Sequence, residues 1–340
     1  MFRFLRPALF QLSPETAHSL TLDLLSRVPL PAAPPPAASL AVKVAGLHFP
    51  SPIGLAAGFD KDARAWEPML RMGFGHVEIG TLTPLPQSGN PKPRIFRLPQ
   101  DGAVINRLGF NNGGLASALP RLRANPRLGV NVGANKDSAD RIADYATGVR
   151  AVRNVAAWIT LNISSPNTPG LRGLQDNGLA ELLAAATEAN GRDGPPLFLK
   201  VAPDLDDTQI DAIAQSILAS GIAALIVSNT TLARPASLKS AARAEAGGLS
   251  GRPLMAPSTA ILRAFAQRLG GKIPLVGVGG ITTAEDVYAK LRAGASLVQL
   301  YTALVYEGPG LPARLNDGLA KLLARDGLRS PADAVGVDVG

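Results

Sequence analysis

The feature that most constrains this chain is an alternation of strand and helix patterns that starts near residue 43 and runs to residue 323. Short apolar runs without strict alternation occur at Ile53–Ala57, His76–Gly80, Leu128–Gly133, Trp158–Asn162, Leu197–Val201, Ala224–Ser228, Pro274–Val278 and Ser296–Leu300. Parallel strands buried on both faces have this character. Between them, apolar residues recur at helical spacing. In Asp206–Ser220 the stripe is Ile210, Ile213, Ala214, Ile217 and Leu218. Ala63–Met72, Ser138–Arg153, Leu179–Ala189, Pro257–Leu269, Ala284–Ala293 and Leu311–Leu323 behave similarly. A strand–helix unit repeated about eight times predicts an α/β protein folded as a (β/α)8 TIM barrel. The alternative is a doubly wound open sheet, but no GxGxxG follows the first strand.

The predicted barrel spans residues 41–325, preceded by a small helical extension with a linker (1–40) and followed by a tail (326–340) that carries no interpretable signal. In the extension, Ser13-Pro14-Glu15 offers an N-cap, a proline at the first helical position and an acid in the first turn. Ala17, Leu20, Leu24, Leu25 and Val28 then recur at helical spacing, and a shorter apolar segment, Phe2 to Phe10, comes before. Pro29 to Pro36 reads as a stiff Pro/Ala tether. Two short amphipathic helices on a tether can cap the barrel or lie on a membrane surface.

Composition narrows the chemistry. Of 340 residues, 46% are hydrophobic and 18% charged, which excludes a disordered chain. The absence of Cys excludes disulfides, Cys-ligated zinc or iron–sulfur clusters, and a thiol nucleophile. The three His (His18, His48, His76) stand in no ligand spacing, so no metal site is expected. The net charge of +8 favours anionic partners, but the basic residues are scattered and nucleic-acid binding is not expected. No uncharged apolar run reaches the roughly 18 residues of a membrane span, and Arg3 and Arg6 interrupt the first apolar stretch.

Polar residues gather at the predicted C-terminal ends of the strands, the face on which barrel enzymes build their sites. They are Gly58-Phe59-Asp60-Lys61, Gly80-Thr81, Asn131, Asn162 with Ser164 to Asn167, Lys200, Ser228-Asn229-Thr230, Gly279-Gly280 and Tyr301-Thr302. Two connections, Thr81–Arg127 and Thr230–Lys272, exceed simple βα loops; the first contains a hairpin pattern and the second the Gly-rich loop Gly247–Gly251. Gly279-Gly280, with Gly251, suits a phosphate because glycine lets backbone N–H groups approach its oxygens; alone, a Gly-Gly pair is equally a tight turn. Asn106, Asn131, Asn162, Asn167 and Asn229 match a ligand edge that alternates C=O and N–H, as pyrimidine and flavin rings do. Lys200 lies inside an apolar strand, where a lysine needs a reason.

These segments closely resemble those of the dihydroorotate dehydrogenase family. The resemblance is carried by Asn162-Ile163-Ser164-Ser165-Pro166-Asn167-Thr168-Pro169-Gly170-Leu171-Arg172, together with Ala56 to Lys61, Gly80 to Pro84, Asn106 to Asn111, Gly248 to Leu254 and Gly277 to Ile281. It runs from about residue 4 to 323 with the motifs in the family's order. Class 1 members use a Cys base and have no helical extension. Here Ser165 stands at that position and the extension is present, so the chain looks like the membrane-associated, quinone-dependent class 2.

The resemblance implies FMN in the barrel mouth, oxidation of dihydroorotate to orotate, and reoxidation by a membrane quinone. It implies cofactor contacts from Ala57, Gly58, Phe59, Asp60, Lys61, Thr81, Asn131, Asn162, Lys200, Ser228, Gly251, Gly280, Tyr301 and Thr302. The substrate would be held by Lys61, Asn106, Arg107, Leu108, Gly109, Phe110, Asn162, Asn167, Asn229 and Thr230, with Ser165 as the catalytic base. His18, Arg97 and Tyr301 would meet the quinone at the inner end of a tunnel walled by the N-terminal helices. Two departures are visible: Ser228 where many relatives have Thr, and Ala134 where many have Lys. No transit peptide precedes residue 1, so the expected location is a bacterial inner membrane, peripheral on its cytoplasmic side, and a monomer is expected. A flavin barrel acting on tRNA would suit the basic charge but uses a Cys acid. A non-catalytic phosphate-binding module on a membrane would leave Lys61, Ser165 and the asparagines without a purpose.

Overall fold

Strands with no polar face need cover on both sides, and the chain supplies it by closing the sheet on itself and wrapping it in helices. The computed structural model describes residues 2–28, 31–168, 170–175 and 178–340. Pro169 of the Asn162–Arg172 motif, and Pro29 and Leu30 at the start of the Pro/Ala tether, lie outside the described residues.

Eight parallel strands form one closed barrel: β1 (Ile53–Leu55), β2 (His76–Leu82), β3 (Leu128–Val132), β4 (Trp158–Asn162), β5 (Leu197–Val201), β6 (Ile222–Val227), β7 (Leu275–Val278) and β8 (Ala295–Leu300). Each pairs with the next in chain order, and Val298 of β8 faces Ile53 of β1 to close the ring. The predicted barrel is therefore the observed one. Its interior is packed by Trp158, Phe198, Ile226, Val276 and Leu297. A small hairpin not read from the sequence, Val42–Val44 with Leu47–Phe49, plugs the N-terminal end. It sets Phe49 with its ring centroid 5.8 Å from that of Trp158. The larger core lies between the strands and the outer helices.

The helices follow their patterns. Asp207–Leu218 starts at a capping box, Asp206 with Gln209, and buries Ile210, Ile213, Ala214 and Ile217. Ala284–Arg292 starts at a second one, Thr283 with Asp286. The tail, silent in the sequence, is stapled to this second helix. Gly336 N–H donates to Leu291 O at 3.0 Å, and Arg292 pairs with Asp338.

The two long connections meet. The first contains the expected hairpin, Ile95–Leu98 with Ala103–Asn106. The Gly-rich stretch is not the loop the sequence suggested: Gly248–Gly251 adds as a third antiparallel strand, with Gly248 facing Asn106 and Gly251 facing Ala103. Its glycines serve close approach. A Cβ on Gly248 would lie 1.9 Å from Thr230 Oγ1, and one on Gly251 2.4 Å from Gly102 O.

The extension forms α1 (Phe2–Gln11) and α2 (Pro14–Arg27). Ser13 Oγ caps α2 by accepting from Thr16 N–H at 3.2 Å. Leu22 and Leu25 enter the main core with Leu40. Glu15 pairs with Arg94 beside the hairpin at 2.7 Å, and Asp23 pairs with Arg64. Six of the ten large exposed hydrophobics among the described residues (Phe4, Leu5, Leu12, Leu20, Leu24, Val28) lie on this extension, which makes it the most apolar part of the surface. Among the described residues, no helix is long and apolar enough to cross a membrane.

Candidate active site

The site is built from the barrel axis outward. Glu78, in the middle of β2, is fully buried. Its carboxylate accepts from Asn131 Nδ2 (2.8 Å), Thr160 Oγ1 (3.0 Å), Trp158 Nε1 (3.1 Å) and Gln299 Nε2 (3.1 Å). Four donors thus satisfy a carboxylate that has no water to turn to. It fixes Asn131, whose Oδ1 accepts from Thr81 Oγ1 at 2.6 Å, while Thr81 Oγ1 in turn accepts from Asn162 Nδ2 at 2.9 Å. Lys200, on β5 in register with Asn162, is buried, and its Nζ makes no hydrogen bond to a described residue. Burial pulls its ammonium down, and the Glu78 carboxylate opposes that pull. A cation so placed, lining a cavity, is available to an electron-rich ligand.

Above this floor lies a cavity of about 390 Å³. One side is glycine backbone. Gly279, Gly280, Gly251 and Thr302 line it, and Gly280 is pressed so hard against residue 255 that a Cβ would lie 2.3 Å from Met255 N. Its φ of +83° also belongs to glycine. Such a surface presents N–H groups rather than side chains and fits a phosphate.

The other side carries amides and hydroxyls. Lys61 Nζ donates to Asn111 Oδ1 at 2.5 Å; burial, and then Arg94, pull its ammonium down to about 8. Asn229 Nδ2 donates to Ser164 Oγ at 3.1 Å, and Asn167 Nδ2 to Asn106 O at 3.1 Å. Ser165, 5% exposed, accepts from Asn167 N–H at 3.3 Å and lies 3.5 Å from Thr168 Oγ1. Arg172 braces this loop, donating to Ser164 O (3.1 Å) and Thr230 O (2.8 Å) while pairing with Asp204 (2.8 Å).

The cavity continues upward between α1 and α2, where Phe2, Leu9, Phe10, Ala17, Thr21 and Leu25 line it. His18 of α2 meets Phe59 edge-on with ring centroids 5.3 Å apart, and Phe59 meets Tyr301 at 5.5 Å. Arg97 donates to Phe10 O and Leu12 O at the end of α1 (3.2 and 3.0 Å) and lies 4.5 Å over the Phe10 ring. Burial, then the Lys61 charge, push His18 down to about 4, so it is neutral at pH 7. Its pKa is lower folded than free. Docking of α2 is therefore at full strength above the free value of about 6.5 and weakens as pH falls from there towards 4. Hydrogen exchange across residues 14–27 is expected to accelerate at pH 5 relative to its intrinsic rate, and His18→Phe to flatten that dependence.

Most residues singled out from the sequence line this one cavity: His18, Ala57, Gly58, Phe59, Lys61, Thr81, Arg97, Asn106, Leu108, Gly109, Phe110, Asn162, Ser165, Asn167, Lys200, Ser228, Asn229, Thr230, Gly251, Gly280, Tyr301 and Thr302. Three do not. Asp60 turns away to accept from Arg64 N–H (2.8 Å) and Ala65 N–H (2.6 Å), capping the chain before the Trp66–Arg71 helix. Asn131 lies beneath Thr81, one layer below the cavity surface. Arg107 stacks on Phe96 and pairs with Glu245 at 2.8 Å. Sequence reasoning missed Glu78, and it gave no site role to Asn111, Ser164 or Arg172 although they lie inside the recognised motifs. Glu78 carried a signal too, as a lone carboxylate inside an apolar run.

Comparison with known proteins agrees with this geometry. The family model described as dihydroorotate dehydrogenase matches residues 39–323. The dihydroorotate dehydrogenase (quinone) of Erythrobacter litoralis is 56% identical over 341 residues, covering 99% of each chain. That of Parvibaculum lavamentivorans is 53% identical, covering 100% of this chain and 99% of its own. The crystal structure of the Eimeria tenella enzyme in complex with ferulenol superposes with a TM-score of 0.92 at 42% identity, over 96% of this chain and 95% of that one. The chain belongs to the dihydroorotate dehydrogenase family.

Proposed function

We propose that the chain oxidises (S)-dihydroorotate to orotate, a step in making pyrimidines, with FMN as hydride acceptor and a respiratory quinone as final acceptor. The observation that carries this is a single cavity lined at its base by Ser165 and Lys200 and at its top by the apolar faces of two surface helices. FMN fits the base on three counts. Gly251 and Gly280 line it with backbone packed too closely against Gly102 and Met255 to carry a Cβ, Gly279 continues that side-chain-free wall, and Lys200 Nζ lines it with no hydrogen bond to a described residue.

FMN, when bound, supplies a two-electron acceptor for the hydride leaving C6 of dihydroorotate. The chain's own residues do the rest. Gly251, Gly280 and Thr302 would hold the phosphate, and Lys200 would offer its ammonium to the ring system. Asn106, Asn162, Asn167 and Asn229 orient the substrate through its amide edge, and Lys61 pairs with its carboxylate. Ser165 accepts the C5 proton. Its oxygen already accepts from Asn167 N–H, and Thr168 Oγ1 is the hydroxyl nearest to it for passing that proton on. Arg107 and Asn131 act at one remove, by bracing the Phe96 hairpin and Thr81.

Residues 1–40 are the quinone-channel unit and 41–325 the FMN barrel. The exposed Phe4, Leu5, Leu20 and Leu24 support peripheral contact with a membrane, on the cytoplasmic side of a bacterial inner membrane. Because one chain supplies the whole cavity, a monomer suffices. Purified protein is expected to be yellow, to bleach anaerobically on adding dihydroorotate, and to recover its colour on adding a short-chain quinone. Flavin untouched by dihydroorotate would remove the substrate assignment. Flavin that bleaches but is not recovered by quinone would remove the acceptor.

A further inference from the structure

We infer that Lys290 is the protein's counter-charge to the ligand phosphate, a positioning residue that acts through Ser258 and the Gly279 carbonyl. This rests on the FMN reading above and extends it to a residue outside the cavity.

Lys290 lies on the Ala284–Arg292 helix and is fully buried, unusual for a lysine. Its stem passes β7 at Gly277, where a Cβ would sit 3.3 Å from the Lys290 Cδ. Its Nζ donates to Ser258 Oγ at 2.6 Å. An ammonium has no lone pair, so the serine oxygen must accept, and the single hydroxyl proton is left for a carbonyl. The acceptors in reach are Leu254 O at 2.6 Å, Gly279 O at 3.2 Å and Met255 O at 3.3 Å. These carbonyls belong to the two segments that press together to form the glycine cradle. Ser258 therefore sits where the two walls meet, with Leu254 O of its own segment at 2.6 Å and Gly279 O of the other at 3.2 Å, and Lys290 charges that junction.

The charge has no internal partner. Among the described residues no carboxylate lies within ion-pair distance of Lys290. Asp286, one turn away, is engaged in accepting from Thr282 N–H and Thr283 N–H, both at 2.9 Å. Burial pulls Lys290 down to about 7, with Asp286 opposing. A buried cation without an anion is costly unless an anion is supplied. A phosphate on the Gly279–Gly280 backbone supplies it across a poorly screened medium.

The test compares FMN with riboflavin, which lacks the phosphate, on full-length protein stripped of flavin and titrated by fluorescence. Lys290→Met, close in shape and uncharged, is expected to weaken FMN by about tenfold or more while leaving riboflavin within about twofold. Ser258→Ala keeps the lysine but cuts the link, and it guards against a Met variant that fails to fold. It is expected to lower the FMN preference in the same direction, by about threefold or more. If the unaltered protein prefers FMN and that preference survives Ser258→Ala or a folded Lys290→Met, or if a variant weakens both flavins equally, the assignment of Lys290 is overturned. An unaltered protein that binds both flavins equally would overturn the phosphate reading of the cradle, and the inference with it.

Discussion

Replacing Ser165 by alanine is expected to slow reduction of the bound flavin by dihydroorotate by about 10²-fold or more, with the protein still yellow. The size follows from where the hydroxyl sits. Ser165 is nearly inaccessible, held by Asn167 N–H and close to Thr168 Oγ1, so water cannot readily take over as base. The surrounding amides remain to orient substrate, so KM for dihydroorotate should change much less than the rate of reduction. Cofactor retention should be unaffected, since the Gly251–Gly280 cradle and Lys200 stand apart from the serine's hydrogen bonds. Anaerobic stopped-flow mixing reads the step directly. Reduction within a few-fold of the unaltered protein would place the proton elsewhere.

Removing residues 1–36 is expected to reduce quinone-dependent turnover to background while dihydroorotate still bleaches the flavin. The cut is placed before Ala38–Leu40 because Leu40 is wholly buried in the main core. What is lost is one wall of the upper cavity, including Phe2, Leu9, Phe10, Ala17, His18 and Leu25. Without it the inner aromatic layer, Phe59 and Tyr301, opens to water and no apolar path leads towards a bilayer. The truncated barrel should be less stable, since Leu22 and Leu25 leave the core and the Glu15–Arg94 pair is broken. Vesicle flotation of the full chain against the truncated one checks the membrane contact. Unchanged quinone turnover after the cut would mean that the acceptor reaches the flavin by another route.

How far the sequence reached depends on the range of the interaction concerned. All eight strands and most of the outer helices were legible, with ends off by a few residues, because burial on two faces or one stripe is written in local periodicity, whereas the short Gly114–Ala118 helix was not read. Extended insertions were harder. The hairpin at 95–106 carried its own turn, but the strand at Gly248–Gly251 exists only because Ala103–Asn106 lies beside it. Its glycines therefore looked like a loop. The cavity residues were legible because they follow strand ends in register with a family pattern. Asp60 and Arg107 share those motifs yet serve the scaffold, since their partners, Ala65 N–H and Glu245, are set by the fold rather than by the motif. Arg172 with Asp204, and Arg292 with Asp338, pair across 32 and 46 residues, beyond any local signal.

The three-stranded sheet over the barrel mouth has a consequence for how this enzyme can be altered. Its edge strand carries Arg97, its middle strand ends in Asn106, and its outer strand ends in Gly251, the residues assigned to quinone, substrate and phosphate. A one-residue insertion in the Pro99–Gly102 turn would slip the pairing and invert which side chains face inward along the whole strand. Length changes there should disturb all three ligands at once, whereas single side-chain swaps can retune one ligand alone. Engineers and natural drift alike are thus confined to substitution at this roof.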